Sequence, residues 1–404
     1  MNKKKIINDP IYGFINITSE LIYDVIETPV FQRLRRINQM GLADFVYPGA
    51  LHTRFHHALG AMHLMGRSLD NLRDKGHEIS KEEYDSAQLA ILLHDIGHGP
   101  FSHSLENVLM KNISHEELSL LLINKLNQTF NGRLSLAIEM FTGDYSRPFF
   151  HQLISSQLDV DRLDYLNRDS FFTGVSEGTI GAERIIKLFD LVDDQIVVEE
   201  KGIYSVENFL NARRLMYWQV YLHKTGLAAD KMLVKIIERA RHLLLNHATD
   251  PNLQSRINQH LIVEFSETTT LLNEFSALDD HDIWCAIKQW QLSEDKVLAY
   301  LSKSFINRKL FKIILAGEAQ TNVEQTIIND LENKTMLNKT DLSFLYDSGI
   351  VSNAAYIKTS QKIKMLKKTG EVINIEDAFD LPNIKAMSSI VKKHYICWAK
   401  EVSL

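Results

Sequence analysis

The sequence predicts a mainly α protein with minor β-hairpins. Apolar residues recur at spacings of three and four through most of the first 250 positions, the pattern of a helix with one buried face. Strand-like alternation is confined to short stretches bounded by glycine or proline. Apolar residues make up 45% of the 404 positions and charged residues 24%, a composition typical of globular proteins.

The N-terminal half predicts a hairpin followed by several helices. Residues 9–18, DPIYGFINIT, alternate around a proline and a glycine, which favours the hairpin. Ser19 is a candidate helix cap and Pro29 an interruption, and a glycine-rich turn at Gly97, Gly99 and Pro100 ends a helix. The helices predicted by periodicity cover residues 19–40, 61–74, 81–95 and 154–172.

The remaining elements are predicted in the same way. Residues 195–206 read as two strands with Gly202 in the turn, and residues 207–224 as a long helix. Residues 227–247 predict a helix with one apolar face, and weaker helical signals continue beyond residue 250. Residues 355–375 alternate in places and predict a small sheet near the C-terminus.

Bulk properties exclude several classes of protein. A net charge of −6 gives no general reason to expect nucleic-acid binding. The two cysteines, Cys285 and Cys397, form no disulfide framework and suit a reducing compartment. No signal peptide and no apolar run long enough for a membrane span is apparent, so we expect a cytoplasmic protein.

Ten of the sixteen histidines precede residue 152, and three of them lie in LLHDIGHGPFSH, residues 92–103. His94 and Asp95 end an apolar helical run, and a buried His-Asp pair is costly unless it is satisfied. A divalent cation would satisfy both groups. Further donors are available at His56 and His57 upstream and, downstream, at Asp159, Asp161 and Asp164. A satisfied polar network without metal is the alternative, and a second dipeptide, His281-Asp282, has no such neighbours.

Three segments together resemble the deoxynucleoside triphosphate triphosphohydrolases of the HD superfamily. They are TPVFQRLRRINQMGLADFVYPGALHTRFHHALG, then HDIGHGPFSH with Glu106, then LDVDRLDYLNRDS, and the resemblance spans about residues 5 to 230. It implies an HD-domain helical bundle over residues 1–250. We expect residues 251–404 to form a mostly helical region that packs on this core and supports a homo-oligomer.

The resemblance implies one divalent metal ion per site, with Mn, Fe, Ni, Zn and Mg as candidates. Its ligands would be His57, His94, Asp95 and Asp161. His57 is preferred to His56 because the family pattern places the ligand three residues after an arginine. Four protein ligands leave positions open for water or phosphate, which is typical of a catalytic metal.

Catalytic and substrate-binding residues are also implied by the resemblance. His98 and His103 match positions at the triphosphate, with His103 as the candidate proton donor, and Glu106 and His115 match groups that orient it. The positions that match phosphate, sugar and base contacts are Arg54, Arg162, Arg213, Gln39, Tyr165, Asp169 and Tyr221.

Helical spacing supports part of this set independently. Asp161, Tyr165 and Asp169 are four residues apart and share one helix face, and Arg213, Tyr217 and Tyr221 repeat that spacing.

The resemblance to the triphosphohydrolases implies attack at the α-phosphorus of a dNTP, which yields deoxynucleoside and tripolyphosphate.

The sequence departs from the animal members of the family at two places. Tyr217 and Leu222 replace base-side residues, which leaves the base preference open. Gln32 and Arg35 match an allosteric nucleotide site, but Glu27 stands where that site has aspartate. Alternatives are an HD phosphohydrolase of another nucleotide, or a nucleotide-sensing or nucleic-acid-binding protein, which a lysine run would support: Lys358, Lys362, Lys364, Lys367 and Lys368.

Overall fold

Most of the chain is described by a computed structural model. The described residues are 5–109, 113–262, 269–353, 362–377, 391–400 and 402, without the side chains of 102, 103, 107, 269–271 and 353. Helices dominate, with small sheets beside them, so the predicted mainly α fold with minor β elements is confirmed.

The helices run in chain order along the described residues. Their bounds are α1 Glu20–Ile26, α2 Pro29–Gln32, α3 Arg54–Asp74, α4 Lys81–Leu93, α5 Ser102–Leu109, α6 His115–Thr129, α7 Ser135–Thr142, α8 Phe149–Ile154, α9 Val160–Thr173, α10 Ala182–Lys187, α11 Ile203–Met216, α12 Lys224–Leu245, α13 Asn258–Ile262, α14 Thr269–Phe275, α15 Asp280–Trp290, α16 Lys296–Ile306, α17 Thr321–Thr335 and α18 Lys339–Leu342.

The strands form three small sheets. Their bounds are β1 Lys5–Asp9, β2 Gly13–Ile17, β3 Phe189–Val192, β4 Gln195–Glu199, β5 Lys312–Ala316, β6 Tyr346–Asn353, β7 Lys364–Leu366, β8 Val372–Asn374 and β9 Val391–Trp398. β1 and β2 form a hairpin, β5 and β6 flank β9 in an antiparallel sheet, and the third sheet has the order β3-β4-β7-β8. Only the β4–β7 pairing is parallel among the described strands.

Helix α3 packs against both α4 and α9. Apolar side chains of α3 and α4 are buried at helical spacing, including Ala58, Leu69 and Ile91. Gly60 on α3 allows a close approach, because a Cβ there would lie 2.0 Å from the Asp164 carboxylate and 2.2 Å from the Arg168 guanidinium on α9. This approach brings the polar ends of α3 and α9 together.

The predicted helix over 154–172 is wrong at its start. α8 ends at Ile154, and α9 begins only at Val160, where the Asp159 side chain caps the backbone N–H of Arg162 at 2.8 Å. The buried Asp159 carboxylate also accepts a hydrogen bond from the Ser156 N–H at 2.7 Å, which holds the intervening segment in an extended turn.

The predicted strand pair over 195–206 is also wrong. β4 pairs with the preceding β3, and the turn lies at Asp193 and Asp194, both at positive φ. Gly202 instead lies in a 3-10 turn that leads into α11, so the second predicted strand is a helix start. The predicted helix 207–224 is α11 followed by a π-helical turn, Tyr217–Tyr221.

The C-terminal residues contribute helices and two sheets, and α16 packs against α12. β7 and β8 lie within the stretch predicted to form a sheet, although 354–361 fall outside the described residues. The Arg33 guanidinium donates to the carbonyls of Leu278 and Ile96 and so joins this region to the helical core. None of the helices in the described ranges is long and apolar enough to cross a membrane.

Candidate active site

Three side chains from three central helices converge on one point. His57 lies in the first turn of α3, His94 at the end of α4 and Asp161 in the first turn of α9. One ligand atom from each lies within 4.8 Å of the other two. Asp161 Oδ1 is 3.1 Å from His57 Nε2 and 3.5 Å from His94 Nε2.

The orientation of both rings suits a metal ion. His57 Nδ1 is 2.7 Å from Asp164 Oδ2, and His94 Nδ1 is 2.6 Å from the Ile91 carbonyl, so each Nδ1 carries a proton that it donates. Both Nε2 atoms are buried and lack a hydrogen-bond partner among the described residues. Two imidazole lone pairs and a carboxylate aimed at one point fit a divalent cation.

Charges within the cluster reinforce this reading. Burial lowers the pKa of His57, but the Asp161 and Asp164 carboxylates outweigh it and raise the pKa to about 10. Although burial opposes it, the nearby His57 and His94 rings hold the pKa of Asp161 well below its usual range. Because these carboxylates favour positive charge at the rings, a divalent cation would replace the protons at Nε2.

A buried chain of polar groups supports His57 from behind. Arg168 grips Asp164 through Nε at 3.0 Å and Nη2 at 2.9 Å, and its Nη1 reaches Asp9 of the N-terminal hairpin at 2.8 Å. Such partners fix the tautomer and direction of a metal-binding imidazole. Asp164, one of three aspartates that sequence reasoning offered as ligands, thus contacts the other ring nitrogen.

Asp95 lies beside the cluster and is shared. Its Oδ1 is 3.2 Å from His94 Nε2, and its Oδ2 is 3.8 Å from His57 Nε2. Arg54 donates to Asp95 at 2.6 Å, and His98 Nε2 lies at 3.3 Å. Asp95 is thus within reach of the same ion but bonded to groups that face the cavity. The remaining candidate, His56, bonds Thr53 of its own helix cap and points away.

The second group of histidines stacks above Asp95. The His98 and His115 rings are 3.9 Å apart and nearly parallel, and the Glu106 carboxylate is 2.8 Å from His115 Nδ1. Burial, with help from the Arg54 charge, holds the pKa of His98 well below its usual range, so this ring is neutral at physiological pH. The His103 side chain lies outside the described residues, and its backbone is in α5.

A cavity of about 490 Å³ opens onto these groups. The predicted residues that line it are Gln39, Arg54, Asp95, His98, His115, Asp161, Arg162, Tyr165, Asp169 and Tyr221. Four of these residues belong to α9, and three of them, Asp161, Tyr165 and Asp169, have the four-residue spacing of one helix face. The volume suits a small organic ligand.

One side of the cavity is built for hydroxyl groups. The Asp169 carboxylate accepts from Tyr221 at 2.6 Å and is 2.7 Å from His52 Nε2. Burial, followed by the Asp169 charge, raises the pKa of Tyr221 well above its usual range, so the phenol keeps the proton that it donates. The side-chain oxygen of Gln39 is buried without a hydrogen-bond partner among the described residues. An acceptor left open in this way on the cavity wall can accept a hydrogen bond from a ligand or from water.

The three predicted arginines differ in position. Arg54 and Arg162 line the cavity, and Arg162 pairs with the buried Asp159. Arg213 is buried behind it and donates to Gln157 at 3.3 Å, outside the set of residues that line the cavity. Tyr217, four residues on, does line it, because the π-turn changes the face that the chain presents.

Two residues of the site were missed by sequence reasoning. His52 is buried, stacks on Phe172 at 4.5 Å and contacts Asp169 from 117 positions away. Asp230 of α12 lines the cavity and accepts from the Ser104 hydroxyl at 2.6 Å. For Asp230, the one signal in the sequence was an aspartate beside the apolar face of a predicted helix.

The residues that match an allosteric site contact their own neighbourhood. Gln32 donates to the Ile26 carbonyl at 2.9 Å, and the Arg35 guanidinium donates to Gln32 and covers the Phe55 ring at 3.6 Å. In the lysine run, Lys367 pairs with Glu371 at 2.8 Å, and Lys358 lies outside the described residues.

Comparisons with known proteins agree with this geometry. Residues 54–169 match the HD domain, and residues 180–270 match the HD associated region. A phosphohydrolase of Bacteroides thetaiotaomicron has a solved structure that is similar at a TM-score of 0.92 and 45% identity, over 98% of this chain and 100% of that one.

Curated sequences give the same grouping. The uncharacterized protein YwfO of Bacillus subtilis is 36% identical over 324 residues, which is 78% of this chain and 72% of that protein. A Dictyostelium discoideum protein named as a deoxynucleoside triphosphate triphosphohydrolase SAMHD1 homolog is 32% identical, over 59% of this chain and 50% of that protein.

Proposed function

This chain belongs to the HD-domain superfamily of metal-dependent phosphohydrolases, and we propose that it hydrolyses dNTPs to deoxynucleosides and tripolyphosphate. The observation that carries the proposal is the order of groups along α9. We call His57, His94 and Asp161 the metal-type cluster. The cavity is lined by Asp161 of this cluster, by Tyr165 one helical turn further on and by Asp169 two turns further on. A nucleotide likewise has its sugar next to its phosphates, with Tyr165 and Asp169 on the sugar side of Asp161.

Cationic and neutral donors near the cluster suit a triphosphate. Arg54 and Arg162 line the cavity on the side of the metal-type cluster, and the neutral His98 ring adds a donor or acceptor there. A planar guanidinium can bind two phosphate oxygens at once. The buried Arg213 contributes positive charge from behind, in place of the direct contact that sequence reasoning predicted.

Hydrolysis at the α-phosphorus requires a new bond to a water oxygen and breakage of the bond to the 5′ oxygen, which leaves with a proton. The stacked pair of His98 and His115, held by Glu106, is the described group that can move this proton. We propose that His103, which lies in α5 together with Glu106, is a further proton donor. A divalent ion held by His57, His94, Asp161 and Asp95 would supply Lewis-acid stabilisation of charge on the α-phosphate.

The hydroxyl side of the cavity supports a deoxyribose ligand. Asp169, held from behind by His52, and the open oxygen or amide of Gln39 offer an acceptor and a donor to one 3′ hydroxyl. The Tyr165 ring lies in edge contact with Tyr221, and we propose that it packs against the adjacent carbon and excludes a further oxygen there. Discrimination against ribose is therefore part of the proposal.

The experiment is a metal screen with each dNTP and each NTP, in which the products are separated by anion-exchange chromatography. Tripolyphosphate and deoxynucleoside from dNTPs, with slower turnover of NTPs, support the proposal. Asp95→Ala should abolish the reaction. The control Asp282→Ala, in the second His-Asp dipeptide, should keep the activity of the wild type. Pyrophosphate with a monophosphate as products would indicate an HD phosphohydrolase of different bond specificity.

A further inference from the structure

The cavity contains a carboxylate that the proposed reaction does not use. Four carboxylates line the cavity in the described part of the chain, and Asp95, Asp161 and Asp169 belong to the metal and sugar sides. The fourth is Asp230, whose Oδ1 accepts from Ser104 at 2.6 Å. Its Oδ2 has no hydrogen-bond or ion-pair partner among the described side chains.

The charge of Asp230 argues against a contact with the phosphates. A triphosphate carries about four negative charges, and a half-buried carboxylate beside it would be strongly repelled at low dielectric. The structure gives Asp230 no arginine partner that would offset this repulsion, whereas Asp95 has Arg54. Asp230 therefore suits the uncharged end of a nucleotide.

The slot is the part of the cavity lining that the metal, phosphate and sugar groups leave unassigned, and it contains Asp230. Gly226 lies one helical turn before Asp230 on α12 and lines the cavity with it. A Cβ at Gly226 would meet no atom within 4 Å, so the helix surface there faces open space. The other lining side chains of this part are largely apolar and include Met40, Leu42, Val46, Phe101 and Val220.

An apolar slot with one placed polar group is the usual construction of a specificity pocket. We infer that Asp230 reads the edge of the nucleobase and favours bases with an exocyclic amino group, namely guanine, adenine and cytosine, over thymine. This inference rests on the proposed dNTP hydrolysis. The amino group donates to Oδ2, while thymine presents an N–H between two carbonyl oxygens that the carboxylate repels.

The Asp230 carboxylate is a buried acceptor with fewer hydrogen-bond donors than it can accept. Burial raises the pKa of Asp230 to about 6, against the opposing effects of the Ser104 hydrogen bond and the Lys231 charge. A donor from the base would stabilise the ionised form in place of the missing water.

The test measures kcat/KM for the four dNTPs with the wild type and with Asp230→Asn. The amide keeps the shape and the Ser104 contact, but it can also donate to a thymine carbonyl. The wild type is expected to use dTTP about tenfold less efficiently than the three amino bases, and Asp230→Asn should bring the four within about threefold. An unchanged ranking in Asp230→Asn overturns the inference.

Two further variants separate base reading from simple anchoring. Ser104→Ala removes the contact between α5 and Asp230 but keeps the carboxylate. If Ser104→Ala alters base selectivity as much as Asp230→Asn does, the role of Asp230 is structural and the inference is overturned. Gly226→Leu fills the slot and should raise KM for all four dNTPs about tenfold, whereas an unchanged KM places the base elsewhere. If the wild type hydrolyses no dNTP, the proposed function itself fails, a result distinct from hydrolysis without base selectivity.

Discussion

Both ring nitrogens of His57 have defined tasks in the fold. Nδ1 donates to Asp164, which Arg168 and Asp9 hold in place, so Nε2 is the nitrogen that faces Asp161 and His94. The cost of burying these charges is tolerated because each has a partner. The fixed direction of the ring, more than its mere presence, makes the cluster fit a divalent ion.

Asp164→Asn tests this outer support. The variant exchanges a charged acceptor for a neutral one, so we expect metal affinity to fall 10- to 100-fold. Isothermal titration of Mn²⁺ into metal-free protein measures it. His281→Ala, at a histidine whose side chain is 75% exposed, is the matched control and should bind metal like the wild type. Equal affinity in Asp164→Asn would show that His57 needs no orienting partner.

Sequence reasoning predicted a group of site residues from local spacing and resemblance, and missed those joined over long range. Asp161, Tyr165 and Asp169 share a helix face, so four-residue spacing was enough to group them. His52 has no such neighbour, and its partner Asp169 lies 117 residues away. Asp230 likewise meets Ser104 across 126 residues, and only the folded chain brings them together.

At the scale of elements, α4 carries His94 and Asp95 at its C-terminal end and is capped firmly at its start. Ser80 and Glu83 form a capping box, in which each side chain bonds the backbone N–H of the other. Tyr145 and Arg147 also donate to the Glu83 carboxylate, at 2.9 and 2.8 Å. Against the opposing effect of burial, Arg147 and Ser80 lower the pKa of Glu83 to about 2.

Glu83→Gln should therefore destabilise the fold in a pH-dependent way. A carboxyl whose pKa falls on folding stabilises the native state above its unfolded pKa, about 4.5, and loses this effect as the pH falls toward 2. We expect a loss of about 2 kcal/mol in unfolding free energy at pH 7 and a clearly smaller loss at pH 3. Urea unfolding at both pH values measures it, and a loss that does not depend on pH would contradict the linkage.

Two misread elements show which local signals mislead. The stretch 195–206 alternates and contains a glycine, but β4 finds its partner in β3, and Gly202 is needed because a Cβ there would lie 2.8 Å from the Val198 side chain. Residues 207–224 show helical periodicity to the end, and that periodicity gives no sign of the extra residue in the π-turn Tyr217–Tyr221. Tertiary packing decided both.

At the scale of the molecule, the described C-terminal region supports the cavity from outside its lining. Asp280, at the start of α15, accepts from the backbone N–H of Asn38 at 2.8 Å and of Phe101 at 3.0 Å. One segment precedes Gln39, and the other follows His98, with Phe101 at a φ of 45°. A single carboxylate thus fixes two segments of the cavity wall, and the metal-type cluster has no part in this contact.

Asp280→Ala should separate cavity shape from metal binding. Two backbone donors lose their acceptor, at a cost of about 1–3 kcal/mol each, and the walls can relax. We expect kcat/KM for the substrate to fall at least tenfold while Mn²⁺ affinity stays within about twofold of the wild type. Lys288→Ala, on the exposed side of the same helix, serves as control. Parallel loss of metal binding would place Asp280 in the support of the cluster instead.

The predicted homo-oligomer remains a prediction.

The central claim is hydrolysis of a dNTP at the α-phosphorus, and the fate of the water oxygen tests it most directly. The reaction is run in water enriched in oxygen-18, and both products are analysed by mass spectrometry. We predict one labelled oxygen in tripolyphosphate and none in the deoxynucleoside, because the bond to the 5′ oxygen breaks on the phosphorus side. Label in the deoxynucleoside, or release of a monophosphate with pyrophosphate, would contradict the account.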